Sequence, residues 1–389
     1  MRHPDDLIRR WLDASYEDYC HDLAALVNRD CGSANLDGVN AAQTWVAQRM
    51  TMLGATVERR PCPPWADGLL GRWRGGGRAK ILLSAHADTV YPVGTAAQRP
   101  MRVDPDNGDH LIGPGVADMK SGLLSGLYAV AALRALSLDR WGELAMIVTP
   151  DEEVASTGSQ EWLAALATEF DHALVLEAGR PNGAVVTGRK GRGIWRISVT
   201  GKAAHAGVEP EKGANALLQL AHHLVAVQAL QGAVDKATIV PTTARAGETL
   251  NTVPPHAYAD LDCRAFNNEA LEAIDRVLQQ AVSSTRGAVK GTDSRVESLS
   301  YQPAMARSDA NVRLFEQAKQ AAAAQGIELA EAMSGGTSDG NFLAGSGIGV
   351  LDGLGPVGGL DHSPDEYIDA TTIVPRTAMV AGLILRLSE

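Results

Sequence analysis

A chain of 389 residues, 45% of them hydrophobic, is long enough to bury two domain cores. Its formal net charge of -11 at pH 7 opposes non-specific attraction to nucleic acid or to an anionic membrane, and the acids form no single run that would read as an acidic tail. The four cysteines (Cys20, Cys31, Cys62, Cys263) show no CxxC spacing, so reduced thiols in a cytoplasmic protein are expected, with neither a disulfide framework nor a catalytic cysteine.

The first residues, Met1 to Trp11, carry no apolar stretch followed by a small-residue cleavage site, so no signal peptide is expected. No run reaches the roughly 18 consecutive apolar residues of a membrane span. Leu7 to Val27 and Asn40 to Leu53 have apolar residues at helical spacing, and Gly54 stops the second helix before a strand at 55–59. A Pro-rich loop at 61–65 is followed by strands at 70–74 and 79–85 around the turn Gly75-Gly76-Gly77. Next come a helix from Ser121 to Leu136, a strand at 144–148, a helix at 156–168 and a strand at 173–176. Such alternation implies a mostly parallel sheet covered on both faces.

The pattern changes near Arg189. Residues 194–200 alternate at period two, as a half-exposed strand does. A helix (214–229), strands (237–241, 257–265), a helix (269–284) and a strand (294–299) complete a two-layer α+β unit. The α/β signature then returns with helix 311–325, strand 348–351 and helix 371–387. The expected organisation is an α/β domain at 1–190, an inserted α+β domain at 191–302, and the rest of the α/β domain at 303–389.

Candidate chemistry gathers where these strands end. Asp151-Glu152-Glu153 follows the buried strand 144–148, and three adjacent acids there call for a positive partner such as a metal ion. The alternative is a solvated first turn of the helix beginning near Ser156, favoured by its dipole. His86 and Asp88 end the strand 79–85, and their spacing suits a ligand with its orienting carboxylate. Asp118 sits in the turn Gly113–Gly122 leading into a helix. It could be a helix cap, or the turn a phosphate loop, but GxxxxGK[ST] is missing and an acid opposes phosphate, so a cation suits it better. Glu177 ends strand 173–176, and His362 lies in the late loop Gly358–Pro364. Open α/β sheets bind ligands at such carboxyl ends.

With these motifs in order, the chain resembles the M20 family of co-catalytic metallopeptidases, in particular its glutamate carboxypeptidase-like branch. The motifs are Ser84-Ala85-His86-Ala87-Asp88-Thr89-Val90, Gly115-Val116-Ala117-Asp118-Met119-Lys120-Ser121-Gly122, Asp151-Glu152-Glu153, Glu177-Ala178-Gly179 and His362-Ser363. The resemblance implies two Zn2+ per subunit (Co2+ or Mn2+ as substitutes) bridged by Asp118. One ion is held also by His86 and Glu177, the other by Glu153 and His362. It implies that Asp88 orients His86, that Glu152 is the general base for the water the metals share, and that the Asp118–Met119 peptide is cis.

Gly201-Lys202-Ala203-Ala204-His205-Ala206-Gly207 resembles the family segment whose histidine reaches a neighbouring subunit's site to stabilise the oxyanion; the alternative is a loop histidine with no role. Asn251 and Arg264 match substrate-contacting residues, with Arg264 gripping a terminal carboxylate or, alternatively, sitting as a strand-end surface arginine. Lys190 would add positive charge, and Gly336 lies in a Gly-rich loop of the specificity pocket. Ser300-Tyr301-Gln302 departs from the pattern, since glutamate-directed relatives tend to carry arginine there. The expected activity is hydrolysis of an amide in a small peptide or N-acyl amino acid with a free carboxylate, a carboxypeptidase first. An N-acyl-amino-acid deacylase or deacetylase, or a catalytically silent carboxylate-binding relative, are the alternatives. The resemblance implies that 1–190 and 303–389 form the catalytic domain and 191–302 its lid and dimerisation domain, so a homodimer through the inserted domain is expected, with no nucleic-acid or membrane partner.

Overall fold

A computed structural model describes residues 3–389. The chain divides into two compact units, one comprising the chain up to Gly188 with Arg307–Met333 and Ser338–Glu389, the other Arg189–Ala306 with Ser334–Thr337.

The first unit is built on a six-stranded sheet in the order Thr56–Pro61, Asp67–Arg74, Glu143–Thr149, Lys80–His86, His172–Val175, Gly349–Leu351. The last four run parallel, and the first two are antiparallel additions at one edge. Strands 80–86 and 143–149 are buried at every position but the first, so both faces of the sheet are covered. The helix Ser121–Ala135 is apolar around most of its circumference and buried along most of its length, which its Ala- and Leu-rich sequence permits. It lies close to the sheet because residue 122 is glycine: a Cβ there would come within 1.7 Å of the Leu176 carbonyl oxygen.

In chain order the parallel strands run 80–86, then outward to 143–149, then back across to 172–175. The topological switch point therefore falls between 80–86 and 172–175, the place where such sheets bind ligands. His86 and Glu177 lie at or just beyond the ends of those two strands.

A second, small sheet orders the strands Gly358–Gly359, Tyr367–Asp369, His110–Ile112 and Arg102–Val103. Strands of two or three residues leave no periodicity to read, so the sequence gives no sign of them. Their hairpin presents the loop that carries His362.

The second unit is an antiparallel four-stranded sheet in the order Thr238–Ala246, His256–Ala265, Gly191–Thr200, Asp293–Gln302, with helices Ala216–Gln228 and Asn268–Thr285. Strand 191–200 alternates buried and half-buried residues, and the buried set, including Trp195, Ile197 and Val199, packs with Leu261, Leu271, Ile274 and Leu278. The strand expected to stop at Pro241 runs on to Ala246. An edge strand tolerates the proline, and a bulge follows it between Pro241 and Thr243.

Other boundaries also moved. The segment 7–27 is two helices, Pro4–Ala14 and Tyr16–Val27, meeting at Ser15. Residues 303–306 and 334–337 group with the second unit, although chain order suggested the catalytic domain. The reason is local: Arg189 pairs its backbone with Met305, and Lys190 N donates to Ser334 O at 2.9 Å. Two helical stretches, Val116–Ala135 and Ala370–Leu387, are long and apolar enough to cross a membrane, but both are mostly buried within the structure.

Candidate metal centre

The acidic triplet follows strand 143–149, but the α-helix expected near Ser156 begins only at Gln160. Asp151, Glu152 and Glu153 are therefore not its first turn, and the dipole does not account for them. They sit on a tight turn instead. Asp151 O accepts from Ser156 N at 2.8 Å, and Ala155 and Ser156 take left-handed backbone angles (φ 68° and 51°). Side chains hold this turn in place. Asp151 accepts from Gly158 N and Ser159 Oγ, both at 2.6 Å, and Asp339 accepts from Ser156 Oγ at 2.5 Å and Thr149 Oγ1 at 2.6 Å.

Around that turn the structure brings together the distant candidates. The buried His86 places Nε2 2.9 Å from Asp118 Oδ1 and 3.7 Å from Glu177 Oε1. His362 places Nε2 3.1 Å from Glu153 Oε2 and 3.4 Å from Asp118 Oδ2. Two donor sets result, His86–Asp118–Glu177 and Asp118–Glu153–His362, each with ligand atoms within 4.8 Å of one another and sharing the Asp118 carboxylate. The Asp118–Met119 peptide is cis.

The donor chemistry fits a pair of divalent cations. His86 Nδ1 lies 3.0 Å from the Asp88 carbonyl oxygen, an acceptor only, so Nδ1 carries the proton and donates there. In the neutral ring Nε2 then offers a lone pair to two carboxylates, an arrangement that needs a positive charge between them. Without a metal, a proton fills that need. Burial works against the charged ring, but the Asp118 and Asp88 carboxylates outweigh it and hold His86 well above its usual range. His362, beside Asp118 and Glu153, is raised to about 11. Burial opposes the charge on Asp118, yet its contacts with His362 and His86 keep its carboxyl far below the usual carboxylate range. Oxygen and imidazole donors of this kind suit zinc and its first-row neighbours.

Asp88 does more than its spacing from His86 suggested. The strand ends at His86, and the nearest partner of Nδ1 is the Asp88 carbonyl, with the carboxylate further off at 3.4 Å. That carboxylate accepts from Ser33 Oγ at 2.7 Å, Glu152 N at 3.1 Å and Glu153 N at 3.2 Å, so one side chain links the His86 strand to the acidic turn. Glu152 is pushed well above the usual carboxylate range by burial, with the carboxylates of Glu177, Asp339 and Asp118 adding to the shift and His86 opposing it.

Sequence reasoning missed Glu366. This buried carboxylate accepts from Gly115 N (2.9 Å), Ala117 N (2.9 Å), Asp118 N (3.0 Å) and Tyr91 Oη (2.6 Å), and so fixes the backbone that presents Asp118. A glutamate near a chain end, in no motif, carries no local signal for this task.

The substrate candidates all lie in the second unit. The exposed His205 forms a bridge with Thr252, and Ala206 N donates to Asn251 O at 2.9 Å, so the His205 and Asn251 segments are paired. Arg264 donates from Nε to Asp262 Oδ1 (2.8 Å), from Nη2 to Asp262 Oδ2 (3.3 Å) and from Nη1 to Gly335 O (2.8 Å). Those three bonds leave two of the roughly five guanidinium N–H groups for a ligand. Arg189 Nη1 lies 3.4 Å from Gly336 O, on the same loop, and Lys190 Nζ stands 5.3 Å over the Phe266 ring.

A family model described as peptidase family M20/M25/M40 matches residues 82–386. The chain belongs to this family. Family members are metal-dependent hydrolases, and the donor sets above are where this member's metal dependence has its candidate site. Carboxypeptidase G2 of Pseudomonas sp. (strain RS-16) is 30% identical over 94% of this chain and 88% of its own length. Succinyl-diaminopimelate desuccinylase of Azoarcus sp. (strain BH72) is 28% identical over 85% of this chain and 88% of its own. A Staphylococcus aureus tripeptidase shares the fold with a TM-score of 0.81 at 20% identity, covering 96% of this chain and 98% of that one.

Proposed function

We propose that this M20 member is a di-zinc amidohydrolase acting on a small peptide or N-acyl amino acid with a free carboxylate, with carboxypeptidase action as its main reaction. The observation that carries the reading is the pair of donor sets sharing Asp118, with the half-buried Glu152 on the adjacent turn and outside both sets. When bound, two such ions lower the pKa of water and polarise the scissile carbonyl.

The chain's own groups supply the rest. Glu152 takes a proton from the attacking water as its oxygen bonds to the carbonyl carbon. It returns that proton to the nitrogen as the C–N bond breaks, leaving an acid and an amine. Burial keeps its proton affinity high enough for both transfers. Asp88 orients His86 and holds the backbone of Glu152 and Glu153. In this reading the two remaining N–H groups of Arg264 bind the substrate carboxylate, Asn251, Lys190 and Gly336 contact the substrate, and His205 stabilises the oxyanion in a neighbouring subunit of a cytoplasmic homodimer.

Deacylation of N-acyl amino acids would use the same groups and is supported by the desuccinylases among the relatives. Metal analysis of the purified chain is expected to give two zinc ions per subunit. Dipeptides and N-acyl-glutamates should be hydrolysed, chelation should abolish turnover, and added zinc should restore it. Two bound ions with no turnover on a broad panel would point instead to a silent relative.

A further inference from the structure

Glu177 stands beyond the end of its strand, which stops at Val175. The backbone that carries it is held by a glycine-rich strip of the first unit, Gly353-Leu354-Gly355-Pro356-Val357-Gly358. Leu354 N donates to Val175 O at 3.3 Å and Gly355 N to Glu177 O at 2.8 Å. Gly179 N donates to Pro356 O at 2.9 Å and Gly358 N to Gly179 O at 3.2 Å. The approach is close because residue 355 is glycine: a Cβ there would come within 2.8 Å of Leu176 O and 2.9 Å of Glu177 O. Glycine has the most backbone freedom to lose, so such a strip keeps one shape only where something outside it fixes that shape.

Arg376 does so. It lies on the C-terminal helix Ile373–Leu387 and is 2% exposed. It donates from Nε to Gly355 O, from Nη2 to Gly353 O at 2.6 Å and from Nη1 to Gly183 O at 2.8 Å. The guanidinium also packs on the backbone two residues past Glu177, since a Cβ at Gly179 would lie 2.7 Å from Arg376 Cζ. All three of these bonds end on backbone carbonyls, and burial alone lowers the guanidinium to about 10. A buried cation paired with no carboxylate is costly, so an apolar side chain would be the stabler choice if packing were the only task. What an apolar side chain lacks is a planar fork that fixes several acceptors at once.

We infer that Arg376 is a positioning residue for the His86–Asp118–Glu177 set: through the glycine strip it fixes where Glu177 stands, and so governs the affinity of that set, and not of the other, for its ion. The inference rests on the two-ion reading above. The His362 loop begins where the strip ends, but it has anchors of its own. Gly358–Gly359 pairs with Tyr367–Asp369, Asp369 N donates to Val357 O at 2.8 Å, and Tyr91 Oη lies 2.8 Å from Ser363 O. Arg376 differs in this from Glu366, which holds the Asp118 that both sets share.

The test titrates the full-length metal-free chain with Co2+, followed by its visible absorption, in two backgrounds. His362→Ala leaves the Glu177 set complete, and His86→Ala leaves the other. Arg376→Lys keeps the charge and loses the fork. In the His362→Ala background it should weaken cobalt binding by about 10–100-fold, the usual effect of losing a group that orients a ligand, and in the His86→Ala background by less than about threefold. A merely structural role would move both backgrounds alike, so equal weakening, or none, overturns the inference and leaves the two-ion reading standing. Uptake of fewer than two ions by the unaltered chain sinks that reading and the inference with it. Linkage gives a second measurement that needs no variant: if opening the strip weakens the ion, the ion must suppress opening. Amide hydrogen exchange at Gly179, Gly355 and Gly358 of the unaltered chain should slow by about tenfold or more on cobalt loading. Exchange unchanged by cobalt overturns the assignment even where the lysine variant does not fold.

Discussion

The main sheets of the two units present opposite solutions to burial. In the first unit, strand Lys80–His86 is buried at every residue after the first, and the groups that carry chemistry lie where the strands stop. In the second, strand Gly191–Thr200 buries alternate residues, and its other face carries ion pairs, Arg196 with Asp260 and Arg192 with Asp262. A strand covered on both faces has no exposed side on which polar side chains can lie, so function gathers at its end. A half-exposed strand can spread polar groups along its length, and these contribute little to stability singly. Substitutions should therefore act sharply at the strand ends of the first unit and weakly on the open face of the second.

The largest effect is expected at Glu152. Glu152→Gln should reduce kcat by about 10²–10⁴-fold, the usual contribution of a general base, while zinc content and thermal unfolding stay close to those of the unaltered chain. Turnover within tenfold of the original would remove the proton-transfer role. Next comes Glu366→Gln, which replaces a charged acceptor of three backbone N–H groups and a tyrosine hydroxyl. Stability should fall by about 1–3 kcal/mol in urea unfolding, with weaker zinc retention on dialysis, because the Asp118 loop loses its anchor. Unchanged zinc retention would show that the loop holds its shape without the carboxylate.

In the second unit the sharpest response is expected from acid. His223 is fully buried among Gln219, Thr285 and Ser294, and burial, with Arg286 and His222 adding repulsion, lowers it to about 4. Its folded pKa lies below the unfolded value of about 6.5, so protons bind preferentially to the unfolded chain between those values. Stability from this residue is level above pH 6.5 and falls as the pH drops toward 4, by up to about 2 kcal/mol at pH 5. His223→Gln should flatten that part of the urea-stability profile, and an identical slope in the variant would exclude this residue as its source. The smallest effect is expected on the open face. Arg196→Gln breaks the pair with Asp260, and the denaturation midpoint should not move measurably; a clear shift would mean that this face is more than a solvated ladder.

Much of the architecture was legible in advance, because hydrophobic periodicity is a local property. The apolar runs at 79–85 and 144–148 and the alternation at 194–200 distinguish the two kinds of sheet from the sequence alone. The metal candidates were legible for a related reason: carboxylates and imidazoles at the ends of buried strands are too costly to keep there without partners. His86, Asp118, Glu153, Glu177 and His362 accordingly meet. The acidic turn misled the helix assignment because left-handed angles at Ala155 and Ser156 leave no trace in residues of ordinary helical preference.

By itself, then, the sequence determined the longer helices and strands, their order and the motif residues with chemistry to offer, since each depends on neighbours along the chain. Only the tertiary structure decided what holds those residues in position. Glu366 reaches the Asp118 loop across some 250 positions of sequence, Asp339 reaches Ser156, and Ser33 reaches Asp88. A hydrogen bond between distant segments depends on the path of the whole backbone, and composition or spacing records nothing of that path.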